Sequence, residues 1–194
     1  MNIVVEGASD EGMVRALAHH CGAEVSKVIV KGGKTRLDPL IANYNRAALR
    51  EPWVVFRYSD SVCPVDLRRA LLAPLTEPIS PLFQLRIVDP MTEAWLLADG
   101  AGLASYLKVA RSKIPRDPES LQHPKQTLLA LSSKSSSREI REEVVRLDGK
   151  AGPLYTDHLN EFALRHWDID VAAEHSASLR RAMVRVRELG AVSG

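Results

Sequence analysis

The feature that most constrains the fold is an alternation, in the first half of the chain, between short apolar runs and segments with apolar residues at helical spacing. Four apolar runs are predicted to be strands: residues 2–5, 25–30, 53–56 and 82–88. The segments between them predict helices at residues 10–21, 38–49 and 64–72. Strands separated by such helices form parallel βαβ units. The sequence therefore predicts an α/β fold with an open, mainly parallel β-sheet flanked by helices.

The second half of the chain has no further strand pattern. Its apolar spacing predicts helices at residues 92–98, 104–111, 124–131, 137–147, 154–167 and 176–189. The stretch SSKSSSR, residues 132–138, is typical of a mobile loop that ends in a helix cap. We expect a core at residues 1–99 and a helical extension at residues 100–194 packed on it.

Composition places the chain among cytoplasmic proteins that do not span a membrane. No apolar run approaches the roughly 18 residues of a membrane span, and the first residues, MNIVVEGASDEG, lack the basic start of a secretory leader. Cys21 and Cys63 are far apart and have no metal-ligand spacing, which indicates reduced thiols. A net charge of +2 is too small to indicate nucleic-acid binding by itself.

Acidic residues follow three of the four predicted strands. In an open parallel sheet ligands bind at the carboxyl ends of the strands, and hard cations such as Mg²⁺ take one or two protein carboxylates there. We therefore predict a metal site formed by Glu6, Asp60 and Glu93, with Asp10 and Asp89 in reserve. The alternative is that each acid caps the following helix. This alternative is stronger for Asp10 and weaker for Glu6, because Glu is a poor N-cap.

Basic residues follow the second strand in the stretch KGGKT. A Gly-Gly turn could hold a phosphate through its backbone N–H groups, although the full phosphate-loop pattern would need glycine at Val28. A plain turn explains the same residues without any function. The predicted phosphate or nucleic-acid ligands here and nearby are Lys31, Lys34, Arg36 and Arg57.

The order of these motifs resembles the TOPRIM superfamily, the catalytic fold of topoisomerases, primases and several nucleases. The resemblance covers roughly residues 1–90: VVEGASDEGMVRAL, a glycine turn after the second strand, and a third strand ending near Ser-Asp. It implies that Glu6 is a catalytic general acid or base. It also implies that Asp60 is the second aspartate of an Asp-x-Asp motif that holds Mg²⁺ or Mn²⁺.

Motifs in the second half are similar to those of small stand-alone bacterial TOPRIM-like proteins. These motifs are MTEAWLLAD, HPKQTLL, GPLY and SASLRRA. Such proteins are often encoded beside ATPases, in the manner of defence nucleases. The resemblance implies that Glu93 is a further metal ligand and that Lys125 and Arg180 are basic residues of the shared motifs, with Lys125 near nucleic acid.

Tyr58 departs from the TOPRIM pattern, because the family has aspartate at this position. A phenol stays neutral at pH 7 and is a poor Mg²⁺ ligand. The resemblance implies a metal-dependent, nuclease-like hydrolase of DNA or RNA, impaired by Tyr58. The alternative is a non-catalytic subunit that binds a partner such as an ATPase, or a second copy of the chain, through the helical half with Trp95 and Trp167. Core packing is the more ordinary role for those tryptophans. A nucleotide-binding function depends on KGGKT alone.

Overall fold

A computed structural model describes residues 1–191 and contains one four-stranded sheet. Its strands are β1 (Asn2–Val5), β2 (Lys27–Val30), β3 (Trp53–Tyr58) and β4 (Phe83–Val88). The spatial order is β2-β1-β3-β4 and every neighbouring pair is parallel. The predicted open parallel sheet is therefore confirmed, and all four carboxyl ends lie at one edge.

Eleven α-helices surround the sheet and form the second half of the described chain. Those in the first half are α1 (Glu11–His20), α2 (Lys34–Leu37), α3 (Ile41–Ala47), α4 (Pro64–Leu72) and α5 (Thr92–Ala98). Those in the second half are α6 (Gly100–Tyr106), α7 (Pro124–Ser132), α8 (Arg138–Glu143), α9 (Tyr155–Arg165), α10 (Ile169–Glu174) and α11 (Ala177–Ala191). Among residues 1–191 no helix is long and apolar enough to cross a membrane.

The two faces of the sheet are covered by different helices. Ile3 and Val54 belong to a core shared with α1 and most helices of the second half. Val4 and Val55, one residue further along each strand, belong to a second core with α3. Adjacent strand residues point to opposite faces, and burial on both faces explains why these strands are continuously apolar.

The second half packs on the sheet through close contacts with α1 and α5. The indole of Trp95 is fully buried; its Nε1 donates to Ser178 Oγ at 2.6 Å and its ring meets Phe56 edge-on at 6.3 Å. Trp167 is also buried, so core packing of the tryptophans is confirmed. At the crossing of α1 and α9, a Cβ on Gly12 would lie 2.6 Å from the Asn160 Cα. Only glycine permits this approach.

The structure differs from the sequence prediction in several elements. Strand β3 continues through Arg57 and Tyr58, because both residues stay in register with β4. The predicted helix at residues 104–111 is wrong: α6 begins at Gly100, where Asp99 caps it by accepting from Gly102 N at 2.9 Å. Helices α2 and α10 were not predicted, and α8 ends at Glu143 instead of residue 147. The predicted cap at the end of SSKSSSR is confirmed at Ser137, which accepts from Ile140 N.

Candidate functional site at the carboxyl ends of the strands

Glu6 is the first residue after β1 and is 6% exposed. Its Oε1 accepts hydrogen bonds from the Tyr58 backbone N–H at 2.7 Å and from Arg57 Nη1 at 3.2 Å. Burial raises the pKa of Glu6, an effect that these two donors oppose and that nearby carboxylates increase. A carboxyl group with a raised pKa, held at a strand end, can exchange protons closer to neutral pH than a free glutamate.

Arg57 is the centre of a buried ion-pair network. Its side chain is 5% exposed, and its Nη1 contacts Glu6 Oε1 and Asp60 Oδ2, the latter at 3.1 Å. Nη1 also donates to the Tyr58 carbonyl, while Nε donates to Asp38 Oδ1 at 2.9 Å. Arg57 is one of the predicted phosphate ligands, but this burial leaves its guanidinium no open face. It serves as the counter-ion of three carboxylates.

Asp60 lies at the outer end of the site, where its side chain is 31% exposed. Asp60 and Ser61 both have positive φ angles, 50° and 67°, so the chain turns sharply between β3 and α4. The Asp60 carboxylate accepts from Lys34 Nζ at 2.8 Å as well as from Arg57. A bound ligand could therefore reach Asp60, whereas the Glu6 side chain is only 7% exposed.

Tyr58 spans the space between Glu6 and Asp10. Its backbone N–H is bonded to Glu6 and its hydroxyl donates to Asp10 Oδ1. The same oxygen of Asp10 accepts from Thr92 Oγ1 at 2.8 Å, and Oδ2 accepts from Gly7 N at 2.8 Å. Burial, together with the Asp10 charge, raises the pKa of Tyr58 well above its ordinary value. The side chain is therefore a neutral phenol. The alternative that Asp10 caps the following helix is wrong, because its carboxylate makes no cap hydrogen bond to α1.

Glu93 belongs to the first turn of α5 and is 3% exposed. Its Oε1 accepts from the Tyr155 hydroxyl at 2.7 Å, and Lys125 Nζ lies 4.6 Å from the centre of the Tyr155 ring. Burial raises the pKa of Glu93, and the charge of Asp10 raises it further. The helical half therefore supplies the groups that surround this acid.

Glu93→Gln is expected to gain stability relative to the native chain as the pH rises. Because the folded pKa of Glu93 is raised, its carboxyl stabilises the fold below the unfolded value of about 4.3, and this contribution is lost as the pH rises through the folded value. Glutamine does not titrate, so its contribution to the free energy of unfolding does not change with pH. Urea unfolding in EDTA at about pH 5 and about pH 8 measures the difference. A difference in free energy that does not change with pH would contradict the expectation.

The KGGKT turn is not free to hold a phosphate through its glycines. Gly32 N and Gly33 N both donate to the Glu6 carbonyl, at 2.8 and 3.0 Å. This removes the support for a nucleotide-binding function. Lys31 and Arg36 form no ion pair with any residue from 1 to 191, and Arg36 is exposed. Lys34 contacts Asp60 and places a positive charge at the entrance beside it.

The predicted metal ligands fall into two groups rather than one cage. Glu6 and Asp60 meet around Arg57 Nη1, whereas Asp10 and Glu93 lie beyond Tyr58 with donors of their own. Within the described part of the chain, no three His, Cys, Asp or Glu side chains are placed to hold a metal ion. Mg²⁺ often needs only one or two carboxylates, with water and phosphate completing its shell.

The donor chemistry of the first group fits one hard cation. Two carboxylate oxygens and the Tyr58 carbonyl already surround a positively charged nitrogen, Arg57 Nη1, which stands in for such an ion. Tyr58 adds no anionic oxygen to this group, because its hydroxyl is bonded to Asp10. Glu6 and Asp60 are thus the residues that would hold a single Mg²⁺ or Mn²⁺.

Sequence reasoning did not predict three residues of the site, which are Asp38, Thr92 and Tyr155. Each contacts a predicted residue from a distant part of the chain, at Arg57, Asp10 and Glu93 respectively. The stretches GPLY and MTEAWLLAD do contain Tyr155 and Thr92. Their presence in shared motifs was the only signal that could have marked them.

Comparisons with known proteins support the fold. No protein-family model matches the chain, and no curated protein matches it. The structure is similar to the C-terminal region of the Burkholderia pseudomallei OLD protein, with 17% sequence identity, a TM-score of 0.53 and coverage of 96% of each chain. It is also similar to the C-terminal region of the Xanthomonas campestris pv. campestris OLD protein, with 16% identity, a TM-score of 0.51, and coverage of 98% of this chain and 95% of that one. At this level of identity the likenesses support the overall α/β fold and nothing beyond it.

Proposed function

We propose that this chain is a TOPRIM-type phosphodiester hydrolase that acts on DNA or RNA with one divalent cation, and that Tyr58 keeps its activity low. The observation that carries the proposal is the meeting of Glu6 and Asp60 around one cationic nitrogen at the ends of neighbouring strands. The TOPRIM resemblance of the sequence and the likeness to the OLD C-terminal regions support it.

The side chains at this edge have distinct parts in the proposed reaction. Glu6, with its raised pKa, accepts a proton from the attacking water or returns one to the leaving oxygen. Lys34 lies beside the exposed face of Asp60 and binds the backbone phosphate. Lys31 and Arg36, on either side of it in the sequence, are further candidate phosphate ligands. A cation bound by Glu6 and Asp60 would supply Lewis-acid stabilisation of charge on the phosphate.

Tyr58 limits this reaction by occupying a ligand position without contributing charge. Its hydroxyl is committed to Asp10 and its pKa is raised, so it offers no anionic oxygen. The carboxylates beyond it, Asp10 and Glu93, are satisfied by hydroxyl donors instead. Weak turnover with a single cation is the expected consequence.

Glu6→Gln is expected to abolish metal-dependent cleavage while leaving the fold intact. Glutamine can still accept the Tyr58 and Arg57 hydrogen bonds, but it cannot transfer a proton, a role that contributes roughly 10²–10⁴-fold to rate. The assay is cleavage of plasmid DNA and bulk tRNA in Mg²⁺ and in Mn²⁺, with melting curves to verify folding. The matched control is Glu77→Gln at an exposed loop position. Equal cleavage by Glu6→Gln and the native chain would refute the assignment.

A second candidate function is a non-catalytic subunit that docks on a partner such as an ATPase. The observation that favours it is that protein donors already satisfy the strand-end carboxylates, with Arg57 between Glu6 and Asp60 and Tyr58 on Asp10. Calorimetric titration with Mn²⁺ separates the two. A chain that binds no Mn²⁺, and cleaves neither DNA nor RNA even after Tyr58→Asp, supports the second candidate.

A further inference from the structure

A groove of about 910 Å³ runs along the open edge of the sheet, between α4 and α11. Strand β4 forms its floor, because no other strand among residues 1–191 pairs with its outer side. The residues on its walls are of two kinds, arginines and apolar side chains. The arginines are Arg68, Arg69, Arg86 and Arg181; the apolar side chains include Val65, Leu72 and Ile87.

Three of these arginines lack an anionic partner. Arg68, Arg86 and Arg181 form no ion pair with any residue from 1 to 191, whereas Arg69 is paired with Asp66 at 2.8 Å. Arg86 Nε is buried without any hydrogen-bond acceptor among the described residues. Buried donors of this kind are normally satisfied, so the groove has the character of an anion site.

The arginines also repel one another. Burial, together with the charges of Arg68, Arg185 and Arg181, lowers the pKa of Arg86 to about 10. Glu188 opposes this lowering of the pKa, and it is already paired with Arg185 at 2.6 Å. A ligand that brings negative charge would relieve this repulsion.

One end of the groove meets the proposed hydrolytic site. Asp89 lines the groove and accepts a hydrogen bond from Ser59 Oγ at 2.6 Å, and Ser59 directly precedes Asp60. The Asp60 N–H in turn points to the Pro90 carbonyl at 3.4 Å. A polymer lying in the groove would therefore be led toward the exposed face of Asp60.

We propose that this groove binds a single strand of nucleic acid, with phosphates on Arg68, Arg86 and Arg181 and bases against the apolar wall. The proposal rests on the proposed function and extends it by naming the substrate path. A basic groove that follows the backbone is how single strands are held without sequence preference. Val65 and Leu72 can contact unpaired bases, whereas the bases of a duplex are stacked inside the helix.

The test is binding of labelled single-stranded dT and rU oligonucleotides by Arg68→Gln/Arg181→Gln, measured by fluorescence anisotropy in EDTA so that nothing is cleaved. Loss of two phosphate contacts is expected to weaken binding by about tenfold or more and to reduce the salt slope by about 1.4. The two oligonucleotides show whether DNA or RNA is preferred. The single variant Arg181→Gln, at an exposed position, is expected to show part of the loss without affecting folding.

The matched control is Arg138→Gln/Arg165→Gln, which removes the same charge from exposed positions on α8 and α9. It should bind within about twofold of the native chain. An equal loss in the control, or no loss in the groove variants, overturns the proposal. So does selective loss of binding to an acidic peptide such as poly-glutamate, because the groove would then be a protein-docking surface.

Failure of the groove can be told apart from failure of the proposed function. If the groove variants lose oligonucleotide binding and no form of the chain cleaves, the proposal for the groove is supported and the hydrolytic function is refuted. If the native chain cleaves and the groove variants bind and cleave equally well, the proposal for the groove is refuted and the hydrolytic function is supported.

Discussion

Tyr58→Asp is expected to give the chain a divalent-cation site at least about tenfold tighter than its own, since loss of even an outer partner of a metal ligand commonly costs about 10–100-fold in affinity. The shorter aspartate frees the space of the phenol and places an anionic oxygen on the side of Asp10 and Glu93, whose charges act on the Tyr58 hydroxyl. Asp10 loses the Tyr58 hydroxyl and becomes available as a ligand. Metal-dependent cleavage should rise with affinity, because a fuller carboxylate set is what hard cations require.

Titration with Mn²⁺ and melting curves in Mn²⁺ or EDTA measure this directly, before any cleavage assay. In EDTA the variant should melt below the native chain, because a further buried carboxylate joins acids whose pKa values are already raised. Mn²⁺ should reverse this loss. The control is Tyr58→Asn, which has nearly the same shape and no charge. If Tyr58→Asp and Tyr58→Asn bind Mn²⁺ equally, the strand-end carboxylates do not form the proposed site.

The parts of the fold that follow from local chemistry could be read from the sequence. Strand β1 and helices α4 and α5 have the predicted bounds, because each begins or ends at a local signal such as Pro64 at the first turn of α4. The end of β3 could not be predicted in this way. Arg57 and Tyr58 look like loop residues, and their place in the strand depends on pairing with β4.

In the candidate site, too, some features follow from the local sequence and others depend on contacts with distant parts of the chain. The placement of Glu6 and Asp60 at the strand ends follows from the βαβ pattern, as parallel strands require. The partners of Arg57 do not, since Asp38 is 19 residues away and Glu6 is 51 residues away in the chain. The basic groove was also missed, because Arg86 looks like an ordinary outward residue of a strand until α11 packs beside it.

The role of Arg57 leads to the second large expected effect. Arg57→Met should destabilise the fold by about 3–5 kcal/mol, the usual cost of leaving a buried charge without its partner, and lower the melting temperature by roughly 10 °C. Methionine keeps similar volume but leaves Glu6 buried with no cation nearby. Arg46→Met, at an exposed position on α3, should change stability by no more than about 0.5 kcal/mol.

The origin of this loss can be identified by a double variant and by pH. If the unpaired Glu6 carboxylate causes the loss, Glu6→Gln/Arg57→Met should be more stable than the sum of the single effects predicts. The loss in Arg57→Met should also shrink as the pH falls, because protonation of Glu6, with its raised pKa, removes the buried charge. A loss that is additive and independent of pH would indicate that Arg57 acts only by packing.

Melting curves of Arg57→Met with and without Mg²⁺ test whether Arg57 Nη1 occupies the place of a cation. A divalent ion added to Arg57→Met should enter between Glu6 and Asp60 and recover part of the lost melting temperature through preferential binding to the folded chain. The double variant Glu6→Gln/Arg57→Met, which lacks one of the two carboxylates, should recover much less. If Mg²⁺ leaves the melting of Arg57→Met unchanged, the two acids do not bind a cation even when their guanidinium is removed. The proposed hydrolysis would then lose its metal site, and partner binding would be the better account of this chain.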